Sequence, residues 1–295
     1  MTTIAVTGAS GFVARHLIPQ LLSEGHEVRG IARHTPDHTG SAGTIAGFQF
    51  IPGDVRQPDP VRQTLDGCEQ VVHLAASFTP SDDGAAINVE GTRQVLAVSK
   101  AAGVQRFIFV SCLGADAAAH SPFYASKWRA EQLVRSAGLP FCILRPSLIV
   151  GNGDGVLRPL AAALRGLPAL PVAGAGQTRV QPIDVGDVCR CVISALCEET
   201  SRDDSVSLGG PLFLTFRELA DLVAGELNVV RRKLLLPRPL MAAVAGALPA
   251  AARPLYSPAR LAQFEQGVVA SPGIVNREFG FEPANVIPGL ASYLA

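Results

Sequence analysis

The residues best placed to do chemistry stand near the start of the chain, in the run Thr7-Gly8-Ala9-Ser10-Gly11-Phe12-Val13-Ala14. Glycine at position 8 permits a tight turn, and glycine at position 11 lets backbone N–H groups approach a bound group closely. The N-terminus of a helix carries partial positive charge and unpaired N–H donors, so it favours an anion such as a pyrophosphate. Ala14 stands where a small residue is needed for helix-on-strand packing. A glycine pattern alone is weak evidence, but directly after an apolar strand it becomes strong. Gly8, Ser10, Gly11, Phe12 and Val13 are therefore candidate dinucleotide-binding residues. A second apolar run ends at Ala32-Arg33-His34, with no carboxylate there to bond ribose hydroxyls. The guanidinium of Arg33 matches a 2′-phosphate instead, which predicts NADPH over NADH; Arg33 reads otherwise as a solvated surface arginine.

Such a loop needs a scaffold of alternating strands and helices. Apolar runs rich in β-branched residues predict strands at Thr3–Thr7, Glu27–Ala32, Gln49–Pro52, Gln70–Leu74, Arg106–Ser111 and Phe141–Arg145. Helical patterns lie between them at Val13–Ser23, Ala86–Ala102 and Pro122–Ser136. Gly25, Gly103 and Gly138 follow helices where a left-handed cap is wanted. Near-continuous apolar strands alternating with helices predict an α/β fold, a Rossmann-type doubly wound parallel sheet. After Arg145-Pro146 the texture shifts to frequent Pro and Gly and then to apolar helices. No linker intervenes, so one domain over residues 1–295 is expected. Its dinucleotide-binding part covers about 1–150, and a small C-terminal substrate lobe covers mainly 151–295.

Composition narrows the function. With Lys+Arg 25 against Asp+Glu 25 the formal net charge is zero, so no long-range positive field attracts nucleic acid. The six cysteines lack a zinc spacing and read as reduced core residues, with no metal expected. No apolar run approaches the roughly 18 to 20 residues of a spanning helix. The opening residues show no basic region followed by an apolar stretch, so a cytoplasmic protein without a signal peptide is expected. The Ala-rich segment Leu240–Ala252, flanked by Arg231, Arg232, Lys233 and Arg253, reads as a buried helix or a lid over an apolar pocket rather than a membrane-surface helix. The expected partner is a small-molecule substrate, with the chain a monomer or a homodimer.

Ordered motifs run along nearly the whole chain: Thr7-Gly8-x-x-Gly11-Phe12, Gly53-Asp54-Val55, His73-Leu74-Ala75-Ala76, Asn88-Val89-Glu90-Gly91-Thr92, Val110-Ser111, Ser126-Lys127, Leu144-Arg145-Pro146-Ser147 and Ile183-Asp184-Val185. In this order they resemble the short-chain dehydrogenase/reductase superfamily, in its extended and atypical branches of the NAD-dependent epimerase/dehydratase type. The similarity extends to the NADH-dehydrogenase accessory-subunit-like group. The resemblance implies that Asp54 and Val55 lie along the adenine, and that Leu74, Ala75 and Ala76 pass under its ribose. It also implies that Pro146 and Ser147 sit near the nicotinamide amide, and that Lys127 holds the nicotinamide ribose. Asp54 reads equally as a turn former after Gly53. Asn88 and Asp184 read as structural.

The sequence departs from that family at the acid. Redox-active members carry a tyrosine four residues before the lysine; here that position is Phe123, and Tyr124 lies three before Lys127. The two project about 100° apart on a helix, so Tyr124 needs a local distortion near Pro122 to take over. Ser111-Cys112 stands where the family has a serine pair, and a thiol bonds a carbonyl oxygen more weakly than a hydroxyl does. Ser111 reads either as the working hydroxyl or as a strand cap. Lys127, Ser111 and Tyr124 are the candidate catalytic residues. His120 is a replacement acid in one reading and an exposed loop residue in the other; His73 reads as structural or next to the cofactor. Two functions fit. One is an NADPH-dependent oxidoreductase or epimerase/dehydratase-like enzyme with a reorganised acid. The other is a redox-silent NADP(H)-binding sensor, chaperone or assembly protein. The apolar C-terminal lobe, with Thr215 and Glu218 spaced as a capping box, points to a small hydrophobic carbonyl substrate.

Overall fold

The computed structural model describes residues 2–36, 45–78, 82–119, 121–197, 204–237, 240–241, 248–257, 260–261, 267 and 269–294. His120 and residues 242–247 of the Ala-rich segment 240–252 lie outside them. The chain forms two compact units, Met1–Pro146 with Val188–Ser207, and Ser147–Asp187 with Leu208–Ala295.

The first unit is built on strands β1 (Thr3–Thr7), β2 (Glu27–Ala32), β3 (Phe48–Pro52), β4 (Gln70–His73), β5 (Arg106–Val110) and β6 (Phe141–Pro146). Consecutive neighbours in the order β3-β2-β1-β4-β5-β6 pair in parallel. That is the doubly wound order, and it reverses direction between β1 and β4, where such sheets open a crevice at their carboxyl ends. The predicted strand ends hold to within one residue. The covering helices are α1 (Phe12–Ser23), α2 (Pro58–Leu65), α3 (Asp82–Ala86), α4 (Thr92–Ala101) and α5 (Pro122–Ser136). Val71, Phe107, Phe109, Ile143, Val95 and Ala130 form part of the core that holds helices to sheet.

One helix departs from expectation. The pattern over Ala86–Ala102 is broken by a π turn at Ile87–Gly91 between α3 and α4. Gly91 packs so closely on Val55 that a Cβ there would come within 2.7 Å of its Cγ2. The Thr92 hydroxyl bonds back to the Asn88 carbonyl at 2.7 Å. A wide turn of this kind re-aims side chains and recurs at functional sites.

The chain also re-enters the first unit late. Residues 188–207 supply most of the helix Val185–Leu196 and the strand Asp204–Leu208, which forms the seventh strand of the sheet beside β6. The reading of every cysteine as core is corrected at Cys197, which is exposed at the end of that helix, and at Cys112, which is half-buried.

The second unit has its own core, centred on Leu160, Leu164, Val172, Phe216, Val223 and Tyr256. Among its elements, the helix Phe216–Glu226 starts with a complete capping box: Glu218 N donates to Thr215 Oγ1, and Thr215 N to Glu218 Oε2.

Candidate functional site

A groove of about 620 Å³, counting the space open to solvent, runs along the carboxyl ends of β1 to β4. Gly8 turns the chain out of β1 with φ +71°, and a Cβ on it would fall 2.8 Å from the backbone nitrogen of Ala75. Gly11 is the N-cap of α1 and brings no side chain to its end; the first turn holds no acidic residue. The orphan N–H groups of that turn are thus left for a ligand. Gly8, Ser10, Gly11, Arg33, Asp54, Val55, Leu74, Ala75 and Ala76, all expected from sequence, line one groove. Ile31, Ala32, His34, Gly53 and Ile87 line it as well; they flank the expected positions in the chain or the packing, and only Gly53 carried a motif signal. Phe12 and Val13 open α1, half-buried, and are not among the lining residues.

The wall at β3 is electrostatically resolved. Asp54 Oδ1 accepts from Arg56 N at 2.9 Å and Nε at 3.0 Å, and Oδ2 accepts from Nη2 at 2.7 Å. These bonds hold the Asp54 carboxyl below its usual range against the opposing effect of burial, and the field of Arg33 adds to them. Arg33 and His34 are both exposed on the groove rim.

Behind the groove a buried hydrogen-bonded chain ties the glycine loop to α5. Thr7 Oγ1 accepts from the N–H groups of Leu74 and Ala75, both at 3.2 Å, so its own proton goes to His73 Nδ1 at 2.6 Å. His73 must then carry its proton on Nε2, which donates to Thr92 Oγ1 at 2.9 Å. Thr92 passes its proton to the Asn88 carbonyl. The Asn88 side chain bonds both N–H and C=O of Ser77 and donates to Ser126 Oγ, which donates to the Phe123 carbonyl. Burial, with Lys127 adding to it, pushes His73 down to about 3, so the ring is neutral.

At the end of β5 the candidate catalytic residues occupy distinct surroundings. Lys127 is buried on α5; its Nζ donates to the Val110 carbonyl at 2.8 Å and lies 4.2 Å from the Phe109 ring centroid. Desolvation lowers it to about 8, with Cys112 and Glu131 opposing. Ser111 Oγ is buried with no hydrogen-bond partner, so the strand-cap reading of Ser111 is corrected: its hydroxyl caps nothing. Burial pushes the Cys112 thiol up to about 12. Phe123 stacks on Phe78 with centroids 4.3 Å apart, and Tyr124 packs edge-on to Phe123 at 5.5 Å, fully buried. Helix α5 runs without interruption from Pro122, so Tyr124 sits beside the family position rather than in it. The sequence reading missed the buried brace below: Glu131, fully inaccessible, accepts from Arg145 Nε at 2.9 Å and pairs also with its Nη2.

Pro146 ends β6, where its carbonyl accepts from Leu113 N at 2.9 Å. In the second unit, Ser147 Oγ bonds the Gln181 carbonyl at 2.5 Å and Ser147 N donates to Leu208 O, so both its polar groups are engaged. Asp184 accepts from Gly186 N and from the Tyr293 hydroxyl, which ties the C-terminal turn to the junction between the strand Pro182–Asp184 and the helix that starts at Val185. Tyr256 is buried and bonds the Pro171 carbonyl at 3.1 Å. Phe216, Met241, Leu255, Tyr256 and Leu261 line a small apolar cavity there. No group of His, Cys, Asp or Glu among the described residues is arranged to hold a metal. No helix among them is long and apolar enough to cross a membrane.

Residues 4–209 match the model of the NAD dependent epimerase/dehydratase family. An uncharacterized protein of Mycobacterium tuberculosis is 37% identical over 218 residues, which are 74% of this chain but 23% of that protein. The chain therefore spans about a quarter of the length of that relative. The mitochondrial NADH dehydrogenase (ubiquinone) 1 alpha subcomplex subunit 9 of Arabidopsis thaliana is 30% identical over 81% of this chain and 61% of its own length. A ceramide reductase of Caulobacter vibrioides is 31% identical over 66% of this chain and 63% of its own length. Among solved structures, a UDP-glucuronic acid 4-epimerase from Bacillus cereus superposes with TM-score 0.79 over 99% of this chain and 98% of that one, at 20% identity, a likeness of fold.

Proposed function

The chain belongs to the NAD-dependent epimerase/dehydratase family, and on that premise we propose that it is an NADPH-dependent enzyme acting on a small hydrophobic carbonyl compound with an acid other than the usual tyrosine. The observation that carries the reading is the uncapped glycine N-terminus of α1, opening on a groove with Arg33 and His34 on its rim. These residues fit a dinucleotide: a Cβ at Gly8 would close the turn, and the α1 N–H groups have no capping side chain. Gly8, Ser10, Gly11 and the backbone N–H groups of Phe12 and Val13 would hold the pyrophosphate, Asp54, Val55, Leu74, Ala75 and Ala76 the adenosine, and Arg33 the 2′-phosphate. Lys127 would hold the nicotinamide ribose, with Pro146 and Ser147 near the amide. Bound there, the dinucleotide supplies hydride exchange at the nicotinamide ring.

The chain's own contribution is polarisation. Ser111 Oγ, buried and without a partner, donates to a substrate carbonyl oxygen, an arrangement in which an orphaned donor becomes paired only when substrate is bound. The nearby Lys127 ammonium favours negative charge at that oxygen. The relative named as a ceramide reductase supports a lipid-like carbonyl substrate.

A second reading is a redox-silent NADP(H)-binding protein. It is favoured by the apolar stack of Phe123 on Phe78 at the acid position and by the NADH dehydrogenase subunit among the relatives.

Titration with NADPH and NADH, followed by Trp128 fluorescence and calorimetry, tests the shared premise. Micromolar NADPH binding with NADH at least about tenfold weaker supports it. Absence of binding to either by both methods overturns it. Oxidation of NADPH with a panel of long-chain ketones then separates enzyme from silent binder.

A further inference from the structure

Arg33 and Asp54 are brought together by the sheet. Ala32 pairs with Pro52 across β2 and β3, and Gly53 N donates to the Ala32 carbonyl at 3.0 Å, so the two chains leave the sheet side by side at the groove mouth. A free carboxylate there is the natural partner for Arg33, and it would repel a phosphate carrying nearly two negative charges. Asp54 is not free. The guanidinium of Arg56 meets both its oxygens in a two-point fork, reinforced by the Arg56 backbone N–H. The pair is largely sheltered, with side chains 33% and 15% exposed, so solvent screens it only in part. Arg33 has no ion pair of its own among the described residues and stands exposed on the rim.

We propose that Arg56 is a positioning residue that sets cofactor specificity: by clamping the Asp54 carboxylate it cancels that charge and leaves Arg33 free for a 2′-phosphate. The inference rests on the NADPH reading above and adds to it a residue that touches no cofactor. Arg56 acts through Asp54, so its effect must vanish when the Asp54 charge is removed.

The test is a double-mutant cycle read as equilibrium binding of NADPH and NADH by calorimetry, with thermal unfolding run on each variant. Arg56→Gln is expected to weaken NADPH by about tenfold or more, as Arg33 turns to the bared carboxylate, and NADH by less than about threefold. Asp54→Asn with Arg56→Gln is expected to bring NADPH back to within about threefold of the Asp54→Asn single variant, which carries any loss of the Asp54 contact to the adenosine. Arg56→Lys, which keeps the charge without the fork, should fall between and covers the case of a poorly folded Arg56→Gln. An unchanged NADPH-to-NADH ratio in both single variants overturns the proposal. Loss without recovery in the double variant also overturns it, because Arg56 would then be contacting phosphate directly. A parent protein that binds both cofactors equally defeats the NADPH reading first, which separates the two failures.

Discussion

At the scale of single residues, one position bears on the chemistry of the site and another on its stability. The first is Phe123. Its ring is buried against Phe78, and no hydroxyl stands four residues before Lys127. If proton donation limits turnover, Phe123→Tyr should raise the rate of carbonyl reduction by about a hundredfold, the lower end of the range for general acid catalysis. A rate left unchanged in single-turnover measurements would assign the proton to another donor. The second is His73, neutral and locked between Thr7 and Thr92. Its folded value of about 3 lies below the ordinary 6.5 because burial excludes the imidazolium. Between those values the unfolded chain binds a proton that the folded chain does not, so stability falls as pH drops from 6.5 toward 3. The steepest loss is about 1.4 kcal/mol per pH unit. Urea unfolding at stepped pH should show that slope reduced in His73→Gln, despite a lower stability at neutrality. Equal slopes would place the acid sensitivity elsewhere.

At the scale of elements, the strand–turn–helix at β1 and α1 and the brace between α5 and β6 can each be broken separately. Gly8→Ala meets both a left-handed φ and the Ala75 backbone, so it should cost about 1 kcal/mol or more and weaken NADPH binding beyond tenfold. Glu131→Gln leaves Arg145 without its carboxylate and should cost about 3 kcal/mol. Denaturant midpoints measure both, and a Glu131→Gln midpoint equal to the parent's would show the brace to be idle. These elements differ in how visible they are in the chain. The glycine turn is a local pattern with a local cause, as are the apolar parallel strands and the capping box at Thr215. The brace joins residues on different elements, and no spacing marks it. The π turn at Ile87–Gly91 places Gly91 against Val55, a contact made only once the helix docks. The strand at Asp204–Leu208 alternates polar and apolar residues too briefly to stand out, so the return of residues 188–207 to the sheet was not legible. The Asp54–Arg56 fork lies two residues apart and was legible in principle, but as a pair rather than as separate positions.

At the scale of the whole molecule, the balance of charge bears on how the cofactor is recognised. The formal net charge is zero, so the chain has no overall field to gather anions. Any salt dependence of cofactor binding must then come from local contacts. NADPH and NADH share the pyrophosphate and the groove, and differ only by the 2′-phosphate expected at Arg33. That contact is exposed on the rim, where ions screen it effectively. Raising salt from about 20 mM to about 500 mM shortens the screening length from roughly 20 Å to about 4 Å. The NADPH dissociation constant should therefore rise several-fold more than that for NADH over this range, and Arg33→Ala should make the two slopes equal. Calorimetric titrations at four salt concentrations would measure it. Parallel slopes in the parent protein would mean that no exposed cation meets the 2′-phosphate, and the preference for NADPH would have to be abandoned even if the glycine turn binds the dinucleotide.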